Sequence, residues 1–160
     1  MGHVDRLTFR FREPFWEENE TFRKAAFLIS NDSPFMTWWT SYPVIAPILT
    51  AWSAGSRAEA LGDRGTQALA DQALASLARM LRRRIPTPEA LYFHDWQADS
   101  FARGAYSYVP AGATRTALSR PVEGTLFFAG EAASRTGRGG TVDGAIESGT
   151  RAAETILRDH

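Results

Sequence analysis

The chain has 160 residues, 44% apolar and 22% charged, with 18 basic against 18 acidic side chains and no cysteine. That composition suits a globular domain with a real core and lacks the basic excess of a nucleic-acid footprint. The missing cysteines exclude disulfides, thiolate metal sites and a cysteinyl link to a cofactor. No apolar run nears the roughly 18 residues of a membrane span, and the first residues carry neither a signal-peptide pattern nor a myristoylation motif. A cytoplasmic location is the default expectation, with no nucleic-acid or membrane partner.

Residues 4–12 alternate, with Val4, Phe9 and Phe11 among the apolar positions, and predict a strand. Pro14 ends it, and the aromatic turn PFW follows. Three more short strands are expected over 25–30, 34–42 and 44–52, separated by turn residues. Pro47 inside the last of these argues for an edge position or a bulge. The period then changes. Leu69, Ala73, Leu77, Met80 and Leu81 recur at helical spacing over 66–84. Arg82, Arg83 and Arg84 close that helix, where positive charge suits the dipole, and Pro86 and Pro88 stop it. Residues 89–96 predict a fifth strand, 97–104 a loop, and 105–113 a short extended piece. The apolar run 125–130 predicts a buried strand. Val142, Ala145, Ile146, Gly149, Ala152, Ala153 and Ile156 mark one face of a final helix. The expected fold is therefore α+β. An antiparallel sheet with a long helix occupies residues 1–100, and a strand–loop–helix unit occupies 101–160.

Between that last strand and helix lies TGRGGTVDG. It is not a Walker A loop, because no Lys follows the glycines, and the position after Gly137 that a dinucleotide fingerprint would fill with Gly or Ala is Val142. What remains is a helix start. Thr141 suits the N-cap, Asp143 suits the positive end of the dipole, and free N–H groups at Val142 would face an electron-rich atom. A plain surface loop ahead of a packed helix fits the same residues. His94 has no second ligand at metal spacing, so no metal is expected, and Asp95 and Asp99 read as turn and cap residues. The aromatics, 12% of the chain with five Trp, suit either a core or the wall of a pocket for a flat ligand.

The motifs FREPFW, FHDWQADSFARGAYSYVP and LFFAGE followed by GTVDGAIESGTRAA occur in that order. Together they resemble the C-terminal part of the flavin-containing amine oxidases, the family of monoamine and polyamine oxidases and the histone lysine demethylases. The resemblance implies that residues 1–100 are a portion of a substrate-binding domain and 101–160 the last strand–loop–helix of a Rossmann-like FAD-binding domain. It implies that Gly130 and Glu131 meet the phosphate and ribityl part of FAD. Gly140, Thr141 and Val142 would present the helix start to the flavin N1–C2=O edge, with Ala145 one turn on. Trp96 would pack near the ring, Tyr106 would wall the substrate cavity, and Arg6 would fall where many members carry a lysine that holds a water near flavin N5.

Departures from the family pattern are also visible. Ala105 stands where monoamine oxidases carry a flavin-linking cysteine, so the implied FAD is non-covalent. Thr141 stands where they place the second tyrosine of an aromatic cage. Arg6 keeps its charge but is bulkier than lysine, so it either orients a substrate carboxylate or is a surface residue at a strand start. The family's GxGxxG segment is not found, so the implied FAD site is incomplete in this chain. The expected function is the C-terminal fragment or subunit of an FAD-dependent amine oxidoreductase, inactive by itself. It would act on an amine within the complete enzyme, with a companion chain carrying the GxGxxG half as one source of the rest. The alternative is a non-catalytic remnant or partner-binding module that keeps the fold and self-associates.

Overall fold

The computed structural model describes residues 1–31, 33–62 and 64–159. The chain divides into two compact units, one of residues 3–104 and one that joins residues 1–2 to 105–160.

The first unit is a five-stranded antiparallel sheet with helices on one face. Its strands are β1 (Val4–Arg10), β2 (Phe27–Ile29), β3 (Thr37–Trp39), β4 (Ile48–Ala54) and β5 (Ala90–Phe93), in the order β2-β3-β4-β1-β5. β1 and β4 are the long central pair, in register from Val4 opposite Ala54 to Arg10 opposite Ile48. Alternation puts Leu7 and Phe9 of β1 and Leu49 and Ala51 of β4 on one face, with Phe11 continuing that row. Helix α2 (Gly65–Leu81) covers it with Leu69, Ala73, Leu77 and Leu81, all buried. The turn residues Phe15 and Trp16 stack edge-on with Phe11 to finish the core. The expected antiparallel sheet and long helix are both present.

Several expectations need correction. Pro47 does not mark an edge: it precedes β4, a central strand, and its carbonyl accepts the Phe11 N–H at 2.8 Å. The missing proline donor therefore falls just outside the ladder. A short helix, α1 (Ser56–Leu61), follows β4 and was not expected. It is barely a turn and a half, with only Ala58 and Leu61 buried, too brief for periodicity to register. The arginine run begins at the left-handed C-cap Arg82, beyond the helix, and Arg83 pairs with Glu18 at 3.1 Å. Trp96 lies in a turn after β5.

The second unit is mostly loop, closed by helix α3 (Val142–Asp159). Residues 125–130 form no buried strand. They make one bridge, Val122 to Leu126, and Leu126 and Phe128 are exposed. An apolar run becomes a strand only when another strand takes its backbone groups, and among the described residues none lies beside it. Tyr106 is likewise not in a strand; its carbonyl accepts the Gly2 N–H at 2.7 Å. The apolar stripe read from the sequence of α3 is its outer face, since Val142 and Ile146 are 75% and 63% exposed. The inward face carries Gly144, Ser148 and Arg151, with Ser148 fully buried.

Candidate functional site

The glycine loop is built around Glu131. The chain enters it through Gly130, whose φ of 121° and ψ of 171° suit only glycine. Ser148, reaching inward from α3, clasps that turn: its Oγ accepts the Gly130 N–H at 2.9 Å and lies 2.7 Å from the Gly130 carbonyl oxygen. Glu131 then gathers three separate segments. Its Oε1 accepts the Ser107 N–H at 2.8 Å, and its Oε2 accepts the Ser107 hydroxyl at 2.5 Å and the Gly140 N–H at 2.6 Å. Arg115 stands 3.7 Å away. Burial pushes the Glu131 carboxyl up, but the bonds from Ser107 and Gly140 and the Arg115 charge outweigh it, and the net shift is below the ordinary value.

Past Gly140, α3 begins with a well-formed cap. The Thr141 hydroxyl accepts the Gly144 N–H at 3.1 Å and donates to the Arg138 carbonyl at 2.6 Å, the geometry expected of an N-cap threonine. Gly144 allows the close approach, because a Cβ there would collide with the Arg138 backbone carbonyl. The first-turn N–H groups of Val142 and Asp143 have no protein acceptor among the described residues. The Tyr106 ring borders the loop, 3.9 Å from where a Cβ on Gly140 would stand. On the Arg115 side, an open cleft of about 690 Å³ is lined by Ser107, Arg115, Ser134 and Gly139 among others.

The family model described as flavin containing amine oxidoreductase matches residues 1–157. The chain belongs to that family. Among curated relatives it is similar to lysine-specific histone demethylase 1 homolog 3 of Arabidopsis thaliana, 31% identical over 98% of this chain and 10% of the relative. It is also similar to polyamine oxidase 2 of Arabidopsis thaliana, 30% identical over 96% of this chain and 31% of the relative. Among solved structures, putrescine oxidase bound to putrescine aligns with a TM-score of 0.78 and 25% identity, over 98% of this chain and 35% of that one. The chain thus spans between a tenth and about a third of the length of these proteins.

Family membership implies a flavin, and the helix start fits one. It offers two uncommitted N–H groups beside a side-chain-free Gly140, where a planar electron-rich edge can approach the positive end of the helix. Seven residues singled out from the sequence lie in this unit: Tyr106, Gly130, Glu131, Gly140, Thr141, Val142 and Ala145. Ala145 is half-buried, and its N–H bonds the Thr141 carbonyl at 3.1 Å. Arg6 and Trp96 belong to the sheet unit. Arg6 is exposed on β1 with its guanidinium 5.9 Å from the Trp39 ring centre. Trp96, 41% exposed, packs edge-on against His94 at 4.4 Å.

Asp95 and Asp99 accept backbone N–H groups two and three residues on, which is the turn role expected of them. His94 bonds Asp99 at 3.1 Å. Among the described residues, no cluster of three His, Asp or Glu could hold a metal ion, and no helix is long and apolar enough to cross a membrane. Sequence reasoning missed Ser107, Arg115 and Ser148. Ser107 lies inside the AYSYVP motif, where attention fell on its neighbour Tyr106, and Arg115 lies in a stretch with no motif. Ser148 had a signal, since Gly144, Ser148, Arg151 and Thr155 recur at helical spacing, but that stripe is not apolar.

Proposed function

We propose that this chain supplies the ring-facing part of the flavin site, together with a share of the substrate domain, of an FAD-dependent amine oxidoreductase. The observation that supports it most directly is the capped start of α3. There the N–H groups of Val142 and Asp143 have no protein acceptor among the described residues, and Gly140, just ahead of them in the chain, borders the Tyr106 ring. Bound there non-covalently, the flavin would supply oxidation of a carbon–nitrogen bond by accepting a hydride. The residues of this chain orient and polarise. Val142 and Asp143 stabilise negative charge on the ring edge, Gly140 admits the plane, and Tyr106 closes one side of the substrate space. The family resemblance makes residues 1–100, with Arg6 and Trp96, the substrate-binding portion. Glu131 holds the loop in shape through donors of the protein itself, a role that suits its full set of protein partners. The amines named for the relatives, putrescine and other polyamines, make a small aliphatic amine the reasonable first substrate class.

The test uses FMN, which carries the ring without needing an adenosine pocket, titrated into the labelled chain by amide NMR. Shifts centred on Gly140, Val142 and Asp143 are expected. Val142→Pro removes one donor where proline suits the first helical position, so it should weaken binding while α3 persists. Shifts spread evenly over the chain, or a Val142→Pro variant that binds as well as wild type, would overturn the proposal.

A second reading rests on the exposed apolar side chains Leu126, Phe128, Val142, Ile146 and Leu157 of the same unit. A surface of that kind drives association with another chain or a second copy. Light scattering that finds a monomer at all concentrations would count against it.

A further inference from the structure

We infer that Arg115 is a positioning residue that locks the three strips of the candidate flavin site to one another. The inference rests on the flavin reading above but makes a separate claim about this chain.

The guanidinium sits beneath the glycine loop. Nη1 donates to the Ser107 hydroxyl and lies 3.5 Å from the Ala132 carbonyl, and Nη2 donates to the Ser107 carbonyl at 3.3 Å. The same group stands 3.7 Å from Glu131 Oε2. Ser107 follows Tyr106 directly, Ala132 follows Glu131, and Glu131 accepts the N–H of Gly140 just ahead of the α3 cap. One planar fork therefore ties the Tyr106 strip to the Gly130–Glu131 turn, and through Glu131 to the start of α3. Lysine could match its charge, but its one ammonium nitrogen cannot reproduce bonds that Arg115 makes from two nitrogens held apart in a plane. The side chain is well shielded, 17% exposed, so its bonds form away from most competing water.

Gly139 supplies the second, independent observation. A Cβ there would overlap the Arg115 guanidinium, meeting its Cζ, Nε and Nη2 atoms. Unlike Gly137 and Gly140, Gly139 is not among the residues of positive φ, so its backbone does not require glycine. The absence of a side chain makes room for the arginine. The second glycine of the loop belongs to the clamp, while Gly140 faces the Tyr106 ring.

Arg115→Ala should accelerate exchange of the Ser107 and Gly140 amides by about tenfold or more, the loss expected when a charge-assisted bond is removed. Amides in the middle of α3 and in β1 should stay protected, which separates loss of the clamp from failure to fold. Gly139→Ala should reproduce much of this effect and add little in the Arg115→Ala background, because the residues act as one unit. Arg115→Lys should not restore protection.

The readout beyond folding is FMN. The induced visible circular dichroism of FMN and its shifts at Val142 and Asp143 should weaken in parallel with the loss of protection. Unchanged exchange in Arg115→Ala, full rescue by lysine, or additive effects of Gly139→Ala and Arg115→Ala would each sink the clamp. Altered exchange with unaltered FMN signals would sink its role in positioning toward flavin. If the wild-type chain takes up no FMN while the exchange results hold, the flavin reading fails and the clamp stands.

Discussion

Substituting Gly144 by Ala sets two effects of opposite sign against each other. Gly144 is the third residue of α3, and alanine is favoured over glycine in a helix by about 1 kcal/mol. Helix propensity alone therefore predicts stabilisation. The surroundings predict the reverse, because the new methyl group would meet the Arg138 backbone carbonyl and approach Ser134 Cβ to 3.1 Å. A flexible side chain could swing aside, but a backbone carbonyl moves only with its loop, and overpacking of this kind costs about 1–3 kcal/mol. That carbonyl also receives the Thr141 hydroxyl, whose oxygen caps the Gly144 N–H. Displacing it endangers the cap and one hydrogen bond, each worth about 1 kcal/mol. The net expectation is a loss of about 2 to 4 kcal/mol in the α3 unit once the propensity gain is deducted.

The assay must report on that unit. All five tryptophans fall within residues 3–104, so their fluorescence follows the sheet unit. Far-UV circular dichroism in urea, read beside amide exchange within α3, follows the helix. Gly149→Ala is the internal control, because a Cβ there meets nothing within 4 Å, and it should stabilise α3 by about 0.5–1 kcal/mol. If Gly144→Ala proves as benign as Gly149→Ala, the close packing of loop on helix is wrong.

Three further expectations concern other parts of the chain. Glu131 has a lowered folded pKa, so its contribution is present at neutral pH and is lost as pH falls through that value. Gly140 amide protection should collapse in acid below the ordinary carboxylate range, and in Glu131→Gln it should be weak at every pH. Asp5 is the opposite case. Burial raises its pKa, His3 opposes the rise and Asp95 adds to it, and its Oδ2 has no partner although it is buried opposite Ser53, whose hydroxyl is also unsatisfied. Its burden appears as pH rises through the folded pKa, so Asp5→Asn should raise the urea midpoint of tryptophan fluorescence at neutral pH and change little in acid. Leu77→Ala empties a fully buried site under the sheet and should cost about 2–5 kcal/mol by the same fluorescence measurement.

The sheet and α2 were legible because their information is local and periodic. Leu7, Phe9 and Phe11 alternate, and Leu69, Ala73, Leu77 and Leu81 return to one face of a helix, so patterning alone separates strand from helix. The glycine loop was legible as a helix start because Thr141 and Asp143 are capping chemistry that acts within a few residues. Residues 125–130 misled for the complementary reason. FFAG has the composition of a buried strand, but pairing and burial need a neighbour, and composition does not say whether one is present. The outward turn of Val142 and Ile146 has a similar origin. An apolar stripe announces that something will cover it, without saying that this unit does.

What the sequence determined by itself is the order of the five sheet strands, α2 and α3, the cap of α3 and the family to which the chain belongs. What only the tertiary structure decided is how distant polar residues meet. Glu131 draws in Ser107, 24 positions earlier, and Gly140, nine positions later, Ser148 returns to Gly130 across 18, and Arg115 reaches beneath Gly139. Hydrogen bonds leave no periodic trace in a sequence, because they depend on distance and angle in space and not on spacing along the chain.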